Sequence, residues 1–138
     1  MIKDLDRVHR LEQAVILILN TFEGWDLEWT GDGSLSCDAM GKTPKGFTCA
    51  MEMKFRNKYY ETKMLEKRKY DILINIDVDV HLYWVGDSQG NYIYWLDEIE
   101  MPEETIIRCS STTLWQSDMK TKPVYMLTED MAIQKNTY

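Results

Sequence analysis

The 138-residue sequence has few of the residues that build zinc sites and disulfide frameworks, and it lacks the long apolar run that a membrane span needs. Its three cysteines include no pair at CxxC spacing, and it has two histidines, which argues against a zinc site and a disulfide scaffold. The longest apolar run, Ala14 to Leu19, is far too short to cross a bilayer. Acidic residues interrupt the first six positions, so no signal peptide is predicted. We therefore expect a cytoplasmic protein without membrane contact.

The composition is that of an ordinary folded chain, but its charge is unevenly distributed. Hydrophobic residues make up 44% and charged residues 28%, which is typical of a soluble globular domain. The net charge is −7, yet residues 41–70 hold nine basic and three acidic residues. Because local potential governs phosphate docking, this block is a candidate nucleic-acid surface. The alternative interpretation is a solvated basic helix.

Residues 46–56 (GFTCAMEMKFR) show the clearest strand pattern in the sequence. Apolar residues occupy every second position, which predicts a strand with one continuous apolar face. The opposite face carries Glu52, Lys54 and Arg56 in a row. Charges are rarely buried without partners, so the side-by-side pair Glu52 and Lys54 suggests a site. The pair would also fit the exposed face of a half-buried sheet, where it would contribute little.

Two helices are predicted to bring further polar groups to the same region. Residues 4–22 have apolar residues at spacings of three and four, and Glu12 falls inside the apolar arc of that helix. A buried carboxylate there needs a partner or a metal ion, whereas a glutamate at the rim would reach water. A second helix is predicted over residues 61–73, with Lys69 inside its apolar stripe.

The segment before the central strand is predicted to form a hairpin with it. Residues 34–40 alternate in polarity, and the following GKTPKG is a turn signal. Asp38 then lies on the strand next to Glu52, where the two form an acidic pair if they share a face. Two or three carboxylates in one pocket suit Mg²⁺ or Mn²⁺. A neighbouring lysine can orient or deprotonate a water that attacks a phosphodiester.

The remaining sequence predicts more strands and a loose tail. Alternation indicates strands over residues 25–29, 77–85, 91–96, 105–112 and 124–128. A polar loop with Trp115 and Lys120 joins the last two, and the tail from Glu129 is expected to be loosely ordered. Five aromatic residues of the predicted hairpin are expected in the core, with a dimer interface or a substrate groove as the alternatives. They are Tyr83, Trp84, Tyr92, Tyr94 and Trp95.

Asp38, thirteen intervening residues and Glu52-Met53-Lys54 resemble the D…(D/E)xK core of the PD-(D/E)xK nuclease superfamily. That superfamily includes type II restriction enzymes, RecB-like nucleases and archaeal Holliday-junction resolvases. Its order of helix, three strands, helix and strand is similar to the order predicted for residues 4–85. The resemblance implies an α/β (α+β) fold of the restriction-endonuclease type, with a mixed central sheet flanked by two helices. A single domain over residues 1–138 is expected, with its core at about 4–85 and a β extension at about 86–128.

The resemblance also implies a role for each residue of the motif. Asp38 and Glu52 would bind the metal ion, and Lys54 would assist the attacking water. The main-chain carbonyl of Met53 would be a further metal ligand. Glu12 resembles the glutamate that many members supply from the first helix, so it is expected in the same site.

The resemblance extends to the substrate contacts and the function. Residues 66–70 (EKRKY) resemble the Gln-x-x-x-Tyr of RecB-like members, with glutamate in place of glutamine. The implied function is a metal-dependent DNA endonuclease using Mg²⁺ or Mn²⁺, with RNA as an alternative substrate and a homodimer as a further expectation. The other open hypothesis is a catalytically inactive nuclease-fold module that binds nucleic acid or a protein partner. Five residues are expected to contact substrate: Arg56, Lys58, Glu66, Lys69 and Tyr70.

Overall fold

The computed structural model describes residues 2–33, 37–110 and 119–138. These residues form two α-helices, α1 (Ile2–Phe22) and α2 (Lys67–Ile74), and a 3-10 helix (Glu129–Met131). The same residues also form nine strands. The strands are β1 (Asp26–Trp29), β2 (Ala39–Lys42), β3 (Thr48–Phe55), β4 (Lys63–Glu66), β5 (Val80–Asp87), β6 (Gly90–Trp95), β7 (Thr105–Ser110), β8 (Met119–Leu127) and β9 (Gln134–Thr137).

Six of the strands build a mixed sheet in the order β1-β2-β3-β5-β6-β9. β3 and β5 pair in parallel and the other neighbours pair antiparallel, which confirms the predicted β2–β3 hairpin. A parallel pair needs a crossover connection, and β4 with α2 supplies it. β5 is buried along its whole length because it has a strand on each side and packed layers on both faces.

The α1 helix covers one face of this sheet. Ile16 and Leu19 of α1 pack in one cluster with Met51, Met53 and Trp84. The apolar face predicted for residues 46–56 is therefore the face that meets α1. Glu52 and Lys54 point to the opposite side of β3, since neighbouring side chains of a strand alternate.

A second layer covers the other face of the main sheet. It consists of α2 and a three-stranded sheet in the order β4-β8-β7. Leu65 of β4, Leu73 of α2 and Leu127 of β8 pack against the aromatic residues of β5 and β6. The predicted core position of these aromatics is confirmed, since four of the five are buried and Trp95 is half-buried.

The predicted helix over residues 61–73 is wrong in its first half. Lys63–Glu66 is the strand β4, paired antiparallel with Val124–Leu127 of β8, and the helix begins only at Lys67. Lys63 and Leu65 are buried while Met64 and Glu66 are half-buried, which is the period of a strand. The partner strand lies about sixty positions further along the chain, so no local pattern announces it.

The predicted loose tail is also wrong. The residues after Glu129 form the 3-10 helix and then β9, which pairs with β6 at the edge of the main sheet. Gly90 allows this pairing, because a Cβ at that position would lie 2.2 Å from the carbonyl oxygen of Asn136. The backbone of β9 can therefore approach β6 closely, and the sheet gains its sixth strand.

The prediction of a strand over residues 34–40 followed by a turn from Gly41 is wrong in its bounds. β2 begins only at Ala39 and includes Gly41 and Lys42, because Gly41, without a Cβ, lets the backbone of β1 approach closely. Residues 34–36 lie outside the described part of the chain. The other strand predictions agree with the structure in position and differ in length.

Within the stretch 86–128, Gly90–Trp95 joins the main sheet, whereas β7 and β8 belong to the second sheet. Trp115 of the predicted loop lies in residues 111–118, outside the described part of the chain. Lys120 was predicted in the same loop but belongs to β8, which begins at Met119 because it pairs with β7 along its first half. No helix among the described residues is long and apolar enough to span a membrane.

Candidate active site

A cavity of about 240 Å³ lies where α1, the end of β3, β4 and the start of α2 meet. We call it the central cavity. The sequence-predicted residues that line it come from four separate segments of the chain. They are Glu12, Asp38, Glu52, Met53, Lys54, Arg56, Glu66 and Lys69. The structure thus brings together eight of the ten predicted site residues.

The main sheet positions Glu52 and Lys54 side by side at this cavity. β3 is held by β2 on one side and β5 on the other, and Met51 and Met53 anchor its opposite face in the core. Glu52 is consequently 8% exposed, whereas Lys54 remains open to solvent. One carboxylate and one amine are therefore fixed two residues apart on the same face of a rigid strand.

Asp38 is tied to the same strand by two hydrogen bonds. Its backbone N–H donates to the carbonyl oxygen of Met51 over 3.0 Å. Its carboxylate oxygen Oδ2 accepts from the backbone N–H of Met53 over 2.8 Å. Burial raises the pKa of Asp38, although that hydrogen bond and the charge of Lys69 oppose the shift. The position just before β2 thus places a second carboxylate beside Glu52.

The pKa of Glu52 reflects its burial and the nearby carboxylate of Asp38. Burial, followed by the negative charge of Asp38, raises the pKa of Glu52 to about 7. The ammonium of Lys69 lies 3.3 Å from Glu52 Oε2 and opposes the rise, but about half of the Lys69 side chain is exposed to water. Burial lowers the pKa of Lys69, while Glu52 and Asp38 raise it, and the net shift is upward. Around Glu52 the two neighbouring carboxylates therefore concentrate negative charge, which the contact with Lys69 only partly offsets.

Glu12 reaches the cavity from α1 and is held by the indole of Trp29. The Trp29 Nε1–H donates to Glu12 Oε1 over 2.9 Å, and Glu12 is 4% exposed. Gly31 leaves room for this contact, since a Cβ there would lie 2.7 Å from the same oxygen. Burial raises the pKa of Glu12, and the charge of Asp38 adds to the rise. The prediction that Glu12 needs a partner on the apolar side of its helix is confirmed.

Lys54 differs from Lys69 in its surroundings. Desolvation lowers its pKa, and the positive charge of Arg56 lowers it further. A lysine whose pKa lies below its ordinary value loses its proton more easily, and its neutral form can then accept a proton from water.

Two predicted substrate contacts lie away from the central cavity. Lys58 is exposed in the loop after β3 and does not line it. Tyr70 packs edge-on against Tyr125 at 5.2 Å between ring centroids, in the core layer formed with the second sheet. Glu66 does line the cavity, but Lys122 of β8 binds its carboxylate at 3.0 Å.

Sequence reasoning missed three residues around the cavity. His9 lines it and meets the ring of Trp29 edge-on at 5.2 Å. Its spacing of three from Glu12 puts both residues on one face of α1, and this signal was available in the sequence. Nothing local pointed to Trp29 or Lys122, because each reaches its partner glutamate from a distant strand.

The donor set of the cavity fits a hard divalent cation. Within the described residues, no three His, Cys, Asp or Glu side chains are grouped closely enough to form a ready-made metal cage. The carboxylates of Glu12, Asp38 and Glu52 each have one oxygen turned to a protein donor. Their second oxygens accept no hydrogen bond from the described part of the chain, and oxygen ligands of this kind are those that Mg²⁺ and Mn²⁺ prefer.

A comparison with solved structures identifies a protein of similar architecture. It is a Holliday junction resolvase from Archaeoglobus fulgidus, an archaeal hyperthermophile, with a TM-score of 0.52 and 10% sequence identity. The match covers 86% of this chain and 92% of the resolvase chain. The two chains share a fold. This confirms the restriction-endonuclease-like α+β fold that the sequence predicted, and at that identity it bears on the fold alone.

The sequence itself has no recognisable relative in the other two comparisons. No family model matches it, and no curated protein matches it significantly. Any function assigned to the chain therefore depends on the geometry and chemistry of the central cavity.

Proposed function

We propose that the protein is a metal-dependent DNA endonuclease that hydrolyses phosphodiester bonds at the central cavity. One observation carries this proposal: three carboxylates and an adjacent lysine, distant in the sequence, line one cavity on a resolvase-like fold. Two further cations, Arg56 and Lys69, line the same cavity. Carboxylates for a metal, an amine for water and cations for phosphate are the groups that this reaction needs.

The carboxylates of Asp38, Glu52 and Glu12 are the proposed ligands of Mg²⁺ or Mn²⁺. When bound, such an ion supplies a Lewis acid that polarises a phosphoryl oxygen and lowers the pKa of a water. The main-chain carbonyl of Met53 is the remaining ligand implied by the superfamily. The negative charge that raises the pKa of Glu52 is the charge that a divalent cation would neutralise.

The lysine and arginine side chains carry the other roles. Lys54 orients the attacking water and accepts its proton, for which its lowered pKa is suited. Arg56 and Lys69 hold the phosphate on either side of the bond that is cut. To bind the substrate phosphate, Lys69 must give up part of its contact with Glu52. Its side chain can move to do so because it is half-exposed.

The substrate is proposed to be DNA with a branched or otherwise interrupted duplex. The structural neighbour is a Holliday junction resolvase, which brings junctions into the set of substrates to be tested. The basic residues within 41–70 would attract any phosphate backbone, so an RNA strand belongs in the same panel.

A cleavage assay with matched variants tests the proposal. Supercoiled, linear, single-stranded and four-way-junction DNA and a single-stranded RNA are incubated with the protein and Mg²⁺ or Mn²⁺. We expect cleavage by the wild type and a loss of about 10²- to 10⁴-fold in Glu52→Gln and Lys54→Ala. The exposed residues Glu28 and Arg10, which lie outside the basic block and the central cavity, provide the controls Glu28→Gln and Arg10→Ala, which should cut like the wild type.

The opposite result is equally clear. A correctly folded wild type that cuts none of these substrates, with either metal, contradicts the endonuclease proposal. It would support the inactive module that binds nucleic acid or a protein partner.

A further inference from the structure

A second depression adjoins the central cavity, and we call it the flank groove. Its volume is about 390 Å³, and Arg56 and Met64 line both it and the central cavity. The complete lining comes from the loop after β3 and from the three strands of the second sheet. It consists of Arg56, Tyr60, Thr62, Met64, Ile107, Arg108 and Met126.

The pairing of the second sheet gives the flank groove an apolar floor. Met64 of β4 lies directly opposite Met126 of β8, so both side chains leave the same face of the sheet. Ile107 of β7 lies opposite Lys122 of β8, which is four residues before Met126 and therefore on the same face of the sheet. Ile107 lines the groove beside the two methionines. Methionine is flexible and polarisable, and such side chains adapt to flat apolar groups.

Cations border this floor. Arg56 stands at the end shared with the central cavity, and Arg108 is exposed on β7. No carboxylate among the described residues lines the groove, although the whole chain carries a net charge of −7. This local excess of positive charge is complementary to a polyanion.

An exposed aromatic ring completes the flank groove. Tyr60 is 51% exposed, and the guanidinium carbon of Arg56 lies 5.9 Å from the centre of its ring. The other ring of this loop, Tyr59, is engaged by the ammonium of Lys63 and by a hydrogen bond to Glu129. Tyr60 is therefore the ring that offers a face to a ligand.

These features fit an unpaired nucleotide better than a continuous duplex. In a duplex the bases are stacked in the interior, and the surface presents only phosphates and the base edges in the grooves. An apolar floor does not complement such a surface. An unpaired base can stack on an aromatic ring and rest on apolar side chains while arginines hold its phosphates. The groove volume lies in the range of small-ligand pockets, roughly 300–1,000 Å³, which suits a group of nucleotide size.

We propose that the flank groove binds an unpaired segment of the strand that is cut, so that the preferred substrates carry a single-stranded arm next to the scissile phosphate. This inference rests on the proposed endonuclease function, because it assigns the central cavity to that phosphate. Tyr60 stacks the base, and Arg108 binds a phosphate of the arm. The second sheet then acts as a specificity element, with the main sheet carrying the catalytic residues.

Binding without cleavage tests this inference separately from activity. Fluorescence anisotropy in EDTA compares a forked DNA that carries one single-stranded arm with a blunt duplex of the same paired sequence. We expect tighter binding of the fork, and a loss of roughly five- to a hundredfold on the fork in Tyr60→Ala, since base stacking contributes about 1–3 kcal/mol. Arg108→Gln should weaken binding of the forked DNA by roughly tenfold, and neither variant should change binding of the blunt duplex.

Two exposed residues of α1 supply matched controls, and the outcomes separate the two proposals. Phe22→Ala and Arg10→Gln remove an aromatic ring and a cation outside the groove and should bind the fork like the wild type. Equal affinity for fork and blunt duplex, or wild-type binding by Tyr60→Ala and Arg108→Gln, overturns this inference even if the protein cuts DNA. Absence of binding to either DNA, together with absence of cleavage, overturns the endonuclease proposal as well. A fork with an RNA arm shows whether the groove accepts either sugar.

Discussion

Glu52 is the residue at which burial, charge and the proposed chemistry meet. Its pKa is raised from 4.5 to about 7, first by burial and then by the charge of Asp38. Between these values the folded protein keeps a proton that the unfolded chain has released. In the absence of metal, the free energy of unfolding therefore falls as the pH rises through this window. The shift corresponds to at most about 3 kcal/mol.

Glu52→Gln should remove this pH dependence, because the amide is neutral at every pH. In EDTA we expect the variant to match the wild type near pH 4.5 and to be the more stable protein at pH 8. Urea denaturation at a series of pH values measures the difference. The control Glu28→Gln changes an exposed carboxylate and should keep the wild-type profile. Parallel profiles for the wild type and Glu52→Gln would contradict the raised pKa.

At the scale of single residues, the sequence predicted the placement of those side chains that belong to a periodic pattern. Alternation along β3 places Glu52 beside Lys54, and the helical spacing of α1 turns Glu12 inward. The contacts that fix these side chains were beyond prediction, because their donors come from other segments. Trp29 binds Glu12, and the N–H of Met53 binds Asp38. Such contacts depend on tertiary geometry that no single segment encodes.

At the scale of elements, Lys63 fastens the second sheet to the main sheet. Its ammonium lies 2.8 Å from Asp87 of β5, and both side chains are 1% exposed. The rings of Tyr59 and Tyr92 each lie 4.3 Å from the same nitrogen, and Glu129 lies 3.5 Å away. A buried ion pair with this many partners is costly to break, since the remaining charge is left buried and unpaired.

Lys63→Met should therefore lower the free energy of unfolding by about 3–5 kcal/mol, because it leaves the buried carboxylate of Asp87 without its cation. Lys67→Met is the matched control. Its ion pair with Asp71 is partly exposed at an i,i+4 spacing on α2, so its loss should cost about 0.5 kcal/mol or less. Urea denaturation measures both variants. A loss in Lys63→Met as small as that in the control would contradict the role of this ion pair.

The elements that sequence reasoning missed are those whose partners lie far along the chain. β4 has four residues, too few for a clear period, and a run of charged residues follows it that resembles the start of a helix. Its pairing with β8 decides its conformation. β9 is likewise short and polar, and it becomes a strand because β6 offers an open edge. Tertiary pairing overrides weak local preference in both places.

At the scale of the whole molecule, the proposed function assigns one face of the protein to nucleic acid. The chain has a net charge of −7, while Lys54, Arg56, Lys69 and Arg108 line the central cavity and the flank groove. On the proposed function, these cations would attract the polyanion to this face, and the excess of acidic residues in the rest of the chain would repel it elsewhere. The position of the basic block was predictable from the sequence, whereas the contribution of the second sheet was not, because Arg108 lies far from that block.

Calorimetric titration of the metal-free protein with Mn²⁺ is the most direct measurement of the central claim. We expect divalent-cation binding by the wild type and by Glu28→Gln. The affinity for Mn²⁺ should fall by at least about tenfold in Asp38→Asn and in Glu52→Gln, because each variant removes the charge of one proposed ligand. Binding that is absent from the folded wild type, or unchanged in both cavity variants, would contradict the account.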